Sequence, residues 1–240
     1  GIVNADGKGV DGVELVYNKL LKGHPGYAMV QKDRLGRTVQ RQEGVKPING
    51  QDVKLSIDGR LQLQAYQSLK KYAELSKAES ASVVVIEVST GKVRAMANYP
   101  SFNSNKRPFT NLEYLKNRSI TDLFEPGSTM KPLIMAHLLQ MNHWDVDEKV
   151  DASSGRVKIQ DHEVKDVHVN KKPLTMLEVL QKSSNVALSK MVTRKPSFDL
   201  YAGIKNYGFC QKTLLDLPGE VQGICPEKSN SLFDLAALSF

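Results

Sequence analysis

The feature of this sequence that most constrains its fold is a sharp break at Glu125–Gly127, followed at once by a helix start. Adjacent proline and glycine residues end the preceding segment. Pro132 lies just beyond Ser128, and because proline has no backbone N–H, a helix accepts it in the first turn but not in the interior. The sequence therefore predicts a helix from about Ser128 to about Met141, with Ser128 at its positively polarised amino-terminal end.

Composition limits the chain to ordinary folded protein and excludes several classes. Its 240 residues, 40% of them hydrophobic, suffice for one large domain or for one domain with an attached piece. The 33 basic and 26 acidic side chains give a net charge of +7, but both signs are spread along the whole chain. A nucleic-acid-binding face needs clustered positive charge, so we expect no nucleic-acid partner. No apolar run approaches the roughly 18 residues of a membrane-spanning helix.

The sequence offers no cofactor motif and no metal site. Cys210 and Cys225 lack a neighbouring histidine pair at the spacing of a zinc site. They could form one disulfide bond or none, and we favour two unpaired cysteines in the core. Asp145, Asp147 and Glu148 lack the glycine and the ligand spacing of a calcium loop, so we interpret them as part of a solvated loop.

The amino-terminal part of the chain differs in pattern from the rest. Gly1–Pro47 is rich in glycine and is interpreted as an arm, with one helix-like stretch over Val13–Leu21. A turn at Pro47–Gly50 separates this arm from a more regular remainder. Val53–Ile57 alternates like a strand and precedes a helix predicted over Asp58–Ser80, capped by its first residue.

Beyond residue 80 the sequence predicts both strands and helices. The valine-rich stretch Ser82–Val88 and the following Val93–Asn98 favour a hairpin, and the polar stretch Tyr99–Arg118 favours a long loop. The carboxyl-terminal half adds a polar hairpin and two short helices, predicted over Gly155–Asp166, Leu174–Gln181 and Val186–Val192.

One spacing could carry acid–base chemistry. A serine and a lysine three residues later lie one helical turn apart on the same face, so the amine can hold the hydroxyl and accept its proton. Three such pairs occur, about as many as chance predicts for this composition: Ser68/Lys71, Ser89/Lys92 and Ser128/Lys131. Only Ser128 is predicted at a helix start, where backbone N–H groups favour a negatively charged oxygen. The alternative is that Ser128 merely caps the helix and that Lys131 is an exposed charge.

A second polar group, Ser183–Asn185, interrupts the apolar stripe between two predicted helices. Ser183 and Asn185 could point the same way from such a junction. Serine and asparagine are also common helix caps, so this group alone does not identify a site.

Taken together, these segments resemble the class B penicillin-binding proteins. The stretch Asn117–Pro132, which reads NRSITDLFEPGSTMKP, is similar to the active-serine segment of that family. Three further stretches agree in the same order: Ser56–Asp58, Ala95–Asn103 and Leu180–Val186. Upstream, Gly9–Glu14 resembles the end of the family's non-catalytic pedestal. The resemblance covers nearly the whole chain and is greatest to the septal branch, the penicillin-binding protein 3 type of Gram-negative bacteria.

The resemblance implies an α+β fold of the penicillin-binding and β-lactamase type, an antiparallel sheet with helices. It implies a pedestal remnant over residues 1–50 and the amino-terminal part of a transpeptidase domain over residues 51–240, so we expect the chain to be truncated at both ends. The expected location is the periplasmic face of the inner membrane, with the membrane anchor absent from this chain. No cofactor or metal is expected.

The activity that the resemblance implies is that of a peptidoglycan D,D-transpeptidase. Such an enzyme cross-links stem pentapeptides through an acyl-enzyme during septal wall synthesis, and β-lactam antibiotics acylate the same serine. Ser128 would be the nucleophile, Lys131 the base that activates it and Ser183 a proton shuttle to the leaving group. Asn185 would position the substrate amide and the lysine. Membrane proteins of the division machinery are expected partners, through amino-terminal regions that this chain lacks.

One departure from the family concerns its third motif, Lys-Ser/Thr-Gly, which does not occur in these 240 residues. By resemblance, that motif supplies a carboxylate clamp and a second oxyanion donor. We expect this chain by itself to be impaired, because one lost oxyanion donor costs about 10²–10³ in rate. Two alternatives stay open: a catalytically silent scaffold module of penicillin-binding type, and a β-lactam sensor domain that remains acylated.

Overall fold

The chain forms two compact units. A computed structural model describes residues 1–106, 111–195, 199–225 and 231–240. One unit comprises Gly1–Asp122 and Leu214–Val221, and the other comprises Leu123–Thr213 and Gln222–Phe240. The domain boundary expected near residue 50 stays a prediction.

The first unit is a series of short elements followed by a helix packed on a hairpin. Its elements are β1 (Ile2–Val3), β2 (Gly9–Asp11), α1 (Gly12–Val16), α2 (Asn18–Leu21), β3 (Tyr27–Lys32), β4 (Thr38–Val45), α3 (Gly59–Ser76), β5 (Ala81–Ile86), β6 (Val93–Tyr99) and α4 (Arg118–Thr121). Asp58 caps α3 as predicted, since its carboxylate accepts hydrogen bonds from the backbone of Arg60 and Leu61. The Gln62 side chain bonds both backbone groups of Met96, which fixes α3 to β6.

One expectation for this unit is wrong, and one strand pair was not predicted. Val53–Ile57 is not a strand; Ser56 Oγ donates to the carbonyl of Val93 at 2.7 Å and the Asp58 N–H to that of Arg94 at 2.9 Å, without a regular ladder. The amino-terminal arm contains the antiparallel pair β3–β4 as well as helices. Nearly all side chains of that pair are exposed, so alternation between apolar and polar residues gave no signal.

The predicted hairpin after residue 80 is confirmed as the antiparallel pair β5–β6. The long loop predicted over Tyr99–Arg118 contains a 3₁₀ turn at Leu112–Leu115. Residues 107–110 of that loop lie outside the described residues.

The second unit holds the main apolar core. Its elements are α5 (Lys131–Gln140), β7 (Lys149–Val150), β8 (Arg156–Ile159), β9 (His162–Lys165), β10 (Leu174–Thr175), α6 (Met176–Lys182), α7 (Asn185–Thr193), α8 (Leu200–Asn206) and α9 (Leu232–Ala237). The predicted polar hairpin is confirmed as β8–β9 and the two predicted short helices as α6 and α7. Fully buried side chains of the core come from α5, α6, α7, α8 and β10: Ile134, Leu138, Val179, Leu188, Met191, Leu200 and Leu174.

The preference for unpaired cysteines is wrong. Cys210 and Cys225 form a disulfide bond with a Cα–Cα distance of 5.7 Å. The chain returns to Cys210 after a turn in which Gly223 has a φ of +80°, a conformation that glycine adopts freely. The number of residues between two cysteines does not show whether the chain folds back, so spacing alone allowed both a disulfide bond and free thiols. In the ranges that the structure describes, no helix is both long enough and apolar enough to cross a bilayer.

Candidate active site

The predicted helix start at Ser128 is built from two successive turns. Gly127–Met130 forms a 3₁₀ turn, and α5 continues from Lys131 with Pro132 in its first turn. Gly127 has a φ of +56°, which reverses the chain just before Ser128. Ser128 is exposed and does not cap the turn, because Pro126 holds the cap position. The interpretation of Ser128 as a simple helix cap is therefore wrong.

The second polar group forms a two-residue junction between α6 and α7. Ser183 ends α6 in the left-handed conformation, with a φ of +52°. Its N–H bonds the carbonyl of Leu180, and the N–H of Ser184 bonds that of Val179, the paired bonds of a Schellman cap. Ser184 then caps α7 by accepting a bond from the Ala187 N–H at 3.0 Å.

The four residues predicted for the site meet in one hydrogen-bonded cluster. Lys131 Nζ donates to the Ser183 carbonyl at 2.7 Å, to Ser183 Oγ at 3.0 Å and to Asn185 Oδ1 at 2.5 Å. Ser183 Oγ in turn lies 3.0 Å from Ser128 Oγ. Within the described residues no hydrogen bond joins Lys131 Nζ directly to Ser128 Oγ. The two groups are therefore connected through the hydroxyl of Ser183.

Burial sets the protonation behaviour of this cluster. The Lys131 residue is only 1% exposed, so the alternative of an exposed lysine is wrong. Burial lowers the pKa of Lys131, and the negative charge of Asp166 opposes that effect more weakly. A lysine with a lowered pKa provides more neutral amine at neutral pH, and only the neutral amine can accept a proton.

Asp166 and Ser184 are parts of the cluster that sequence reasoning missed. The carboxylate of Asp166 accepts hydrogen bonds from Ser184 Oγ at 2.6 Å and from the Val186 N–H at 2.9 Å. An aspartate at the end of a polar hairpin has no local pattern that distinguishes it from a solvated one. Only the packing of β9 beside α7 brings it to the junction.

The other two serine–lysine pairs lack comparable surroundings. Ser68 and Lys71 are exposed on α3, and Ser89 and Lys92 are exposed in the turn between β5 and β6. In the portion of the chain that is described, no hydrogen bond joins either pair, and no group of three or more histidine, cysteine, aspartate or glutamate side chains is arranged to hold a metal ion. Among the three pairs, context rather than spacing distinguishes Ser128/Lys131.

Comparison with known protein families gives two matches that together account for most of the chain. Residues 81–240 match the penicillin-binding protein transpeptidase domain. Residues 2–55 match the penicillin-binding protein dimerisation domain.

Similar proteins point the same way. The chain is 41% identical, over its whole length, to the peptidoglycan D,D-transpeptidase FtsI of Escherichia coli strain K12, of which it covers 40%. It is 37% identical over 94% of its length to the probable peptidoglycan D,D-transpeptidase PbpC of Pseudomonas aeruginosa, again covering 40% of that protein. The chain thus spans about 40% of the length of these curated relatives.

A solved structure also matches. A peptidoglycan synthetase from Bifidobacterium adolescentis superposes with a TM-score of 0.77 and 26% identity, over the whole of this chain and 44% of that one. The fold is the α+β fold of the penicillin-binding transpeptidases, as the sequence predicts. The chain therefore belongs to the class B penicillin-binding proteins.

Proposed function

We propose that the protein containing this chain is a serine D,D-transpeptidase that cross-links peptidoglycan stem peptides during septal wall synthesis. The observation that carries the proposal is the hydrogen-bonded path from Ser128 Oγ through Ser183 Oγ to Lys131 Nζ. It joins an exposed hydroxyl to a buried amine whose pKa is lowered. Serine acyl transfer requires a nucleophile and a base that activates it, and the Ser183 hydroxyl can pass the proton between them.

The first half of the proposed reaction forms an ester. Ser128 Oγ attacks the carbonyl carbon of the penultimate D-alanine in a stem pentapeptide. The hydroxyl proton passes to Ser183 Oγ, while the Ser183 proton passes to neutral Lys131 Nζ. The bond to the terminal D-alanine nitrogen then breaks, and the same path returns a proton to that amine as it leaves.

The second half transfers the acyl group to another peptide. An amine of a neighbouring chain attacks the ester carbonyl, the bond to Ser128 Oγ breaks and an amide cross-link forms. The amine loses a proton and Ser128 Oγ regains one, so the site returns to its starting state. Asn185 Oδ1 keeps Lys131 Nζ oriented through both halves, in agreement with the role that the family resemblance implies.

Stabilisation of the tetrahedral oxygen is the other requirement. The backbone N–H groups at the start of a helix have no intrahelical acceptor, so the Ser128 N–H is suited to bind a negative oxygen. The family's second donor belongs to the Lys-Ser/Thr-Gly motif, which these 240 residues do not contain. We expect the 240 residues by themselves to acylate slowly, by a factor of about 10²–10³ or more relative to a site with both donors.

β-Lactams are expected to acylate the same serine, since their strained amide presents a carbonyl to Ser128 Oγ. We further propose that the protein acts at the periplasmic face of the inner membrane with membrane proteins of the division machinery as partners. The support for location and partners is the similarity to the septal branch of the family.

The test uses the full-length protein that contains this sequence. We expect a fluorescent penicillin to label the wild type, and we expect Ser128→Ala to remove the label. Ser68→Ala and Ser89→Ala are matched controls, because each removes the serine of a chance serine–lysine pair. Labelling that survives Ser128→Ala, or a wild type that never labels, would overturn the proposal.

A second assay separates the enzyme from a sensor or a scaffold. A peptide ending in D-Ala-D-Ala is supplied with an acceptor amine, and the release of D-alanine is measured. A transpeptidase releases D-alanine over many turnovers and forms the new amide. A sensor would stay acylated by penicillin without turnover, and a scaffold would do neither.

A further inference from the structure

The carboxylate of Asp166 accepts hydrogen bonds from both sides of the junction between α6 and α7. Asp166 follows β9, and its Oδ2 accepts a hydrogen bond from Ser184 Oγ while its Oδ1 accepts one from the Val186 N–H. Ser184 and Val186 flank Asn185, the residue that holds Lys131 Nζ. One carboxylate therefore bonds the residues on both sides of Asn185, Ser184 through its side chain and Val186 through its backbone.

Asp166 is itself held in place. Its N–H donates to the Gly155 carbonyl at 3.0 Å, across the base of the β8–β9 hairpin. Asn170, which is buried, donates from Nδ2 to Asp166 Oδ2 at 3.3 Å. The carboxylate is thus fixed before any substrate binds, which is what a group that orients others needs.

The junction depends on such an anchor. Ser183 occupies a left-handed conformation that costs a residue with a side chain about 1–2 kcal/mol. Ser184 is 1% exposed and Val186 is fully buried. Without Asp166, the Ser184 hydroxyl and the Val186 N–H at the start of α7 would lose their acceptors in a buried place, which is unfavourable.

Asp166 also supplies charge to the site. The helices around α5 carry several ionisable groups, namely Glu178 and Lys182 on α6, Lys190 on α7, and Tyr201 and Lys205 on α8. The negative charge of Asp166 raises the pKa of Lys131 against the larger effect of burial. Its negative charge favours the ammonium form that exists after Lys131 has accepted a proton.

We propose that Asp166 is a positioning residue for acyl transfer: its carboxylate holds the Ser183–Asn185 junction against Lys131 and offsets the charge of the ammonium. The proposal rests on the proposed function, since it assigns a supporting role to the same site. Asp166 acts through Ser184 and Val186 and does not touch the reacting atoms.

Asp166→Asn tests the proposal through the rate of penicillin acylation as a function of pH. We expect the plateau rate to fall by about 10- to 100-fold, the range for loss of a hydrogen bond to a charged group. Removal of the negative charge lowers the pKa of Lys131, so more neutral amine is present at a given pH. The acidic limb of the rate profile should therefore move to lower pH.

Two further variants separate positioning from general destabilisation. Ser184→Ala removes one contact and keeps the carboxylate, so the rate should fall without a shift of the acidic limb. Glu163→Gln is the matched control, because it makes the same carboxylate-to-amide change at a residue of β9 that pairs with Lys165, away from the junction. This control should leave both the acylation rate and the acidic limb of its pH profile unchanged. Thermal unfolding confirms that each variant is folded.

Amide hydrogen exchange gives a readout that needs no reaction. Asp166→Ala should speed exchange of the Val186 amide relative to the wild type and to Glu163→Gln. If the wild type is never acylated, the proposed function fails. If the wild type is acylated but Asp166→Asn matches Glu163→Gln in rate and limb, or if Asp166→Ala leaves Val186 exchange unchanged, the role of Asp166 is refuted. If the Asp166 variants do not fold, Ser184→Ala decides the question. An unchanged acylation rate in Ser184→Ala also refutes the role of Asp166.

Discussion

Replacement of Ser183 by glycine separates the chemistry of the site from its architecture. Ser183 has a φ of +52°, a conformation that costs an L-residue about 1–2 kcal/mol and costs glycine almost nothing. Glycine also gives the unfolded chain extra entropy, which opposes this gain by about 0.4–1 kcal/mol. The two backbone effects leave a net gain in stability of about 0–1.6 kcal/mol. Loss of the Ser183 Oγ hydrogen bonds to Lys131 and Ser128 opposes that gain, so the free energy of unfolding should change little.

The same substitution removes the relay. It deletes the oxygen that lies 3.0 Å from Lys131 Nζ and 3.0 Å from Ser128 Oγ. The bond from Lys131 to the residue 183 carbonyl is kept, because that carbonyl belongs to the backbone. A positioned proton-transfer group typically contributes about 10²–10⁴ in rate, and we expect the rate of penicillin acylation to fall by that factor.

The chain contains a close control for the backbone effect. Lys77 ends α3 with a φ of +54° and the same pair of cap bonds, from its own N–H to Glu74 and from the Ala78 N–H to Ala73. Lys77→Gly should therefore show the backbone effect on the free energy of unfolding without the loss of the Ser183 Oγ bonds, and it should leave acylation unchanged. The assays are urea unfolding and stopped-flow acylation of the full-length protein. A Ser183→Gly variant that acylates within threefold of the wild type would refute the relay.

Three other variants test the remaining energetics. Lys131→Met should abolish acylation. The pKa of Lys131 is lowered on folding, so the wild type becomes more stable as the pH rises towards about 10.4, the pKa of lysine in an unfolded chain. Lys131→Met should lack this rise. A stability difference between the two proteins that is constant with pH contradicts this. The Thr175 N–H and the Lys172 ammonium lower the pKa of Glu178 to about 2, which stabilises the wild type above about pH 4.5. This stabilisation is lost as the pH falls towards 2, and Glu178→Gln should lack it at every pH. Identical acid unfolding of the two proteins contradicts this. Joint replacement of Cys210 and Cys225 by serine should cost about 3 kcal/mol, the expectation for a closed loop of this length, and an unchanged melting temperature contradicts this.

Local signals in the sequence were sufficient for the helix start at the site. Proline and glycine restrict the backbone wherever they occur, so Pro126, Gly127 and Pro132 place Ser128 at a helix entrance independently of the rest of the chain. The apolar spacing of α6 likewise follows from burial of one side, whereas most residues of α7 are buried. These features depend on neighbouring residues and are therefore readable in order along the chain.

The hydrogen-bonded connections within the site could not be predicted from local sequence. A left-handed serine at position 183 is an exception to residue preference, because preference alone would have placed glycine there. Its hydrogen bonds to Lys131 and Ser128 hold it in place. Asp166 reaches the junction only because β9 packs beside α7. The four residues proposed to carry the chemistry were predicted largely through family resemblance. Their order in the hydrogen-bonded path, Ser128, Ser183 and Lys131, required coordinates.

Mapping the acylated residue tests most directly the claim that this path makes Ser128 Oγ a nucleophile. The full-length protein is exposed briefly to benzylpenicillin, digested and examined by mass spectrometry. We predict one penicilloyl group per molecule, on the peptide that carries Ser128, and no adduct in the same time with Lys131→Met. An adduct on a different residue, or Ser128 acylated at the wild-type rate without the lysine, would contradict the account.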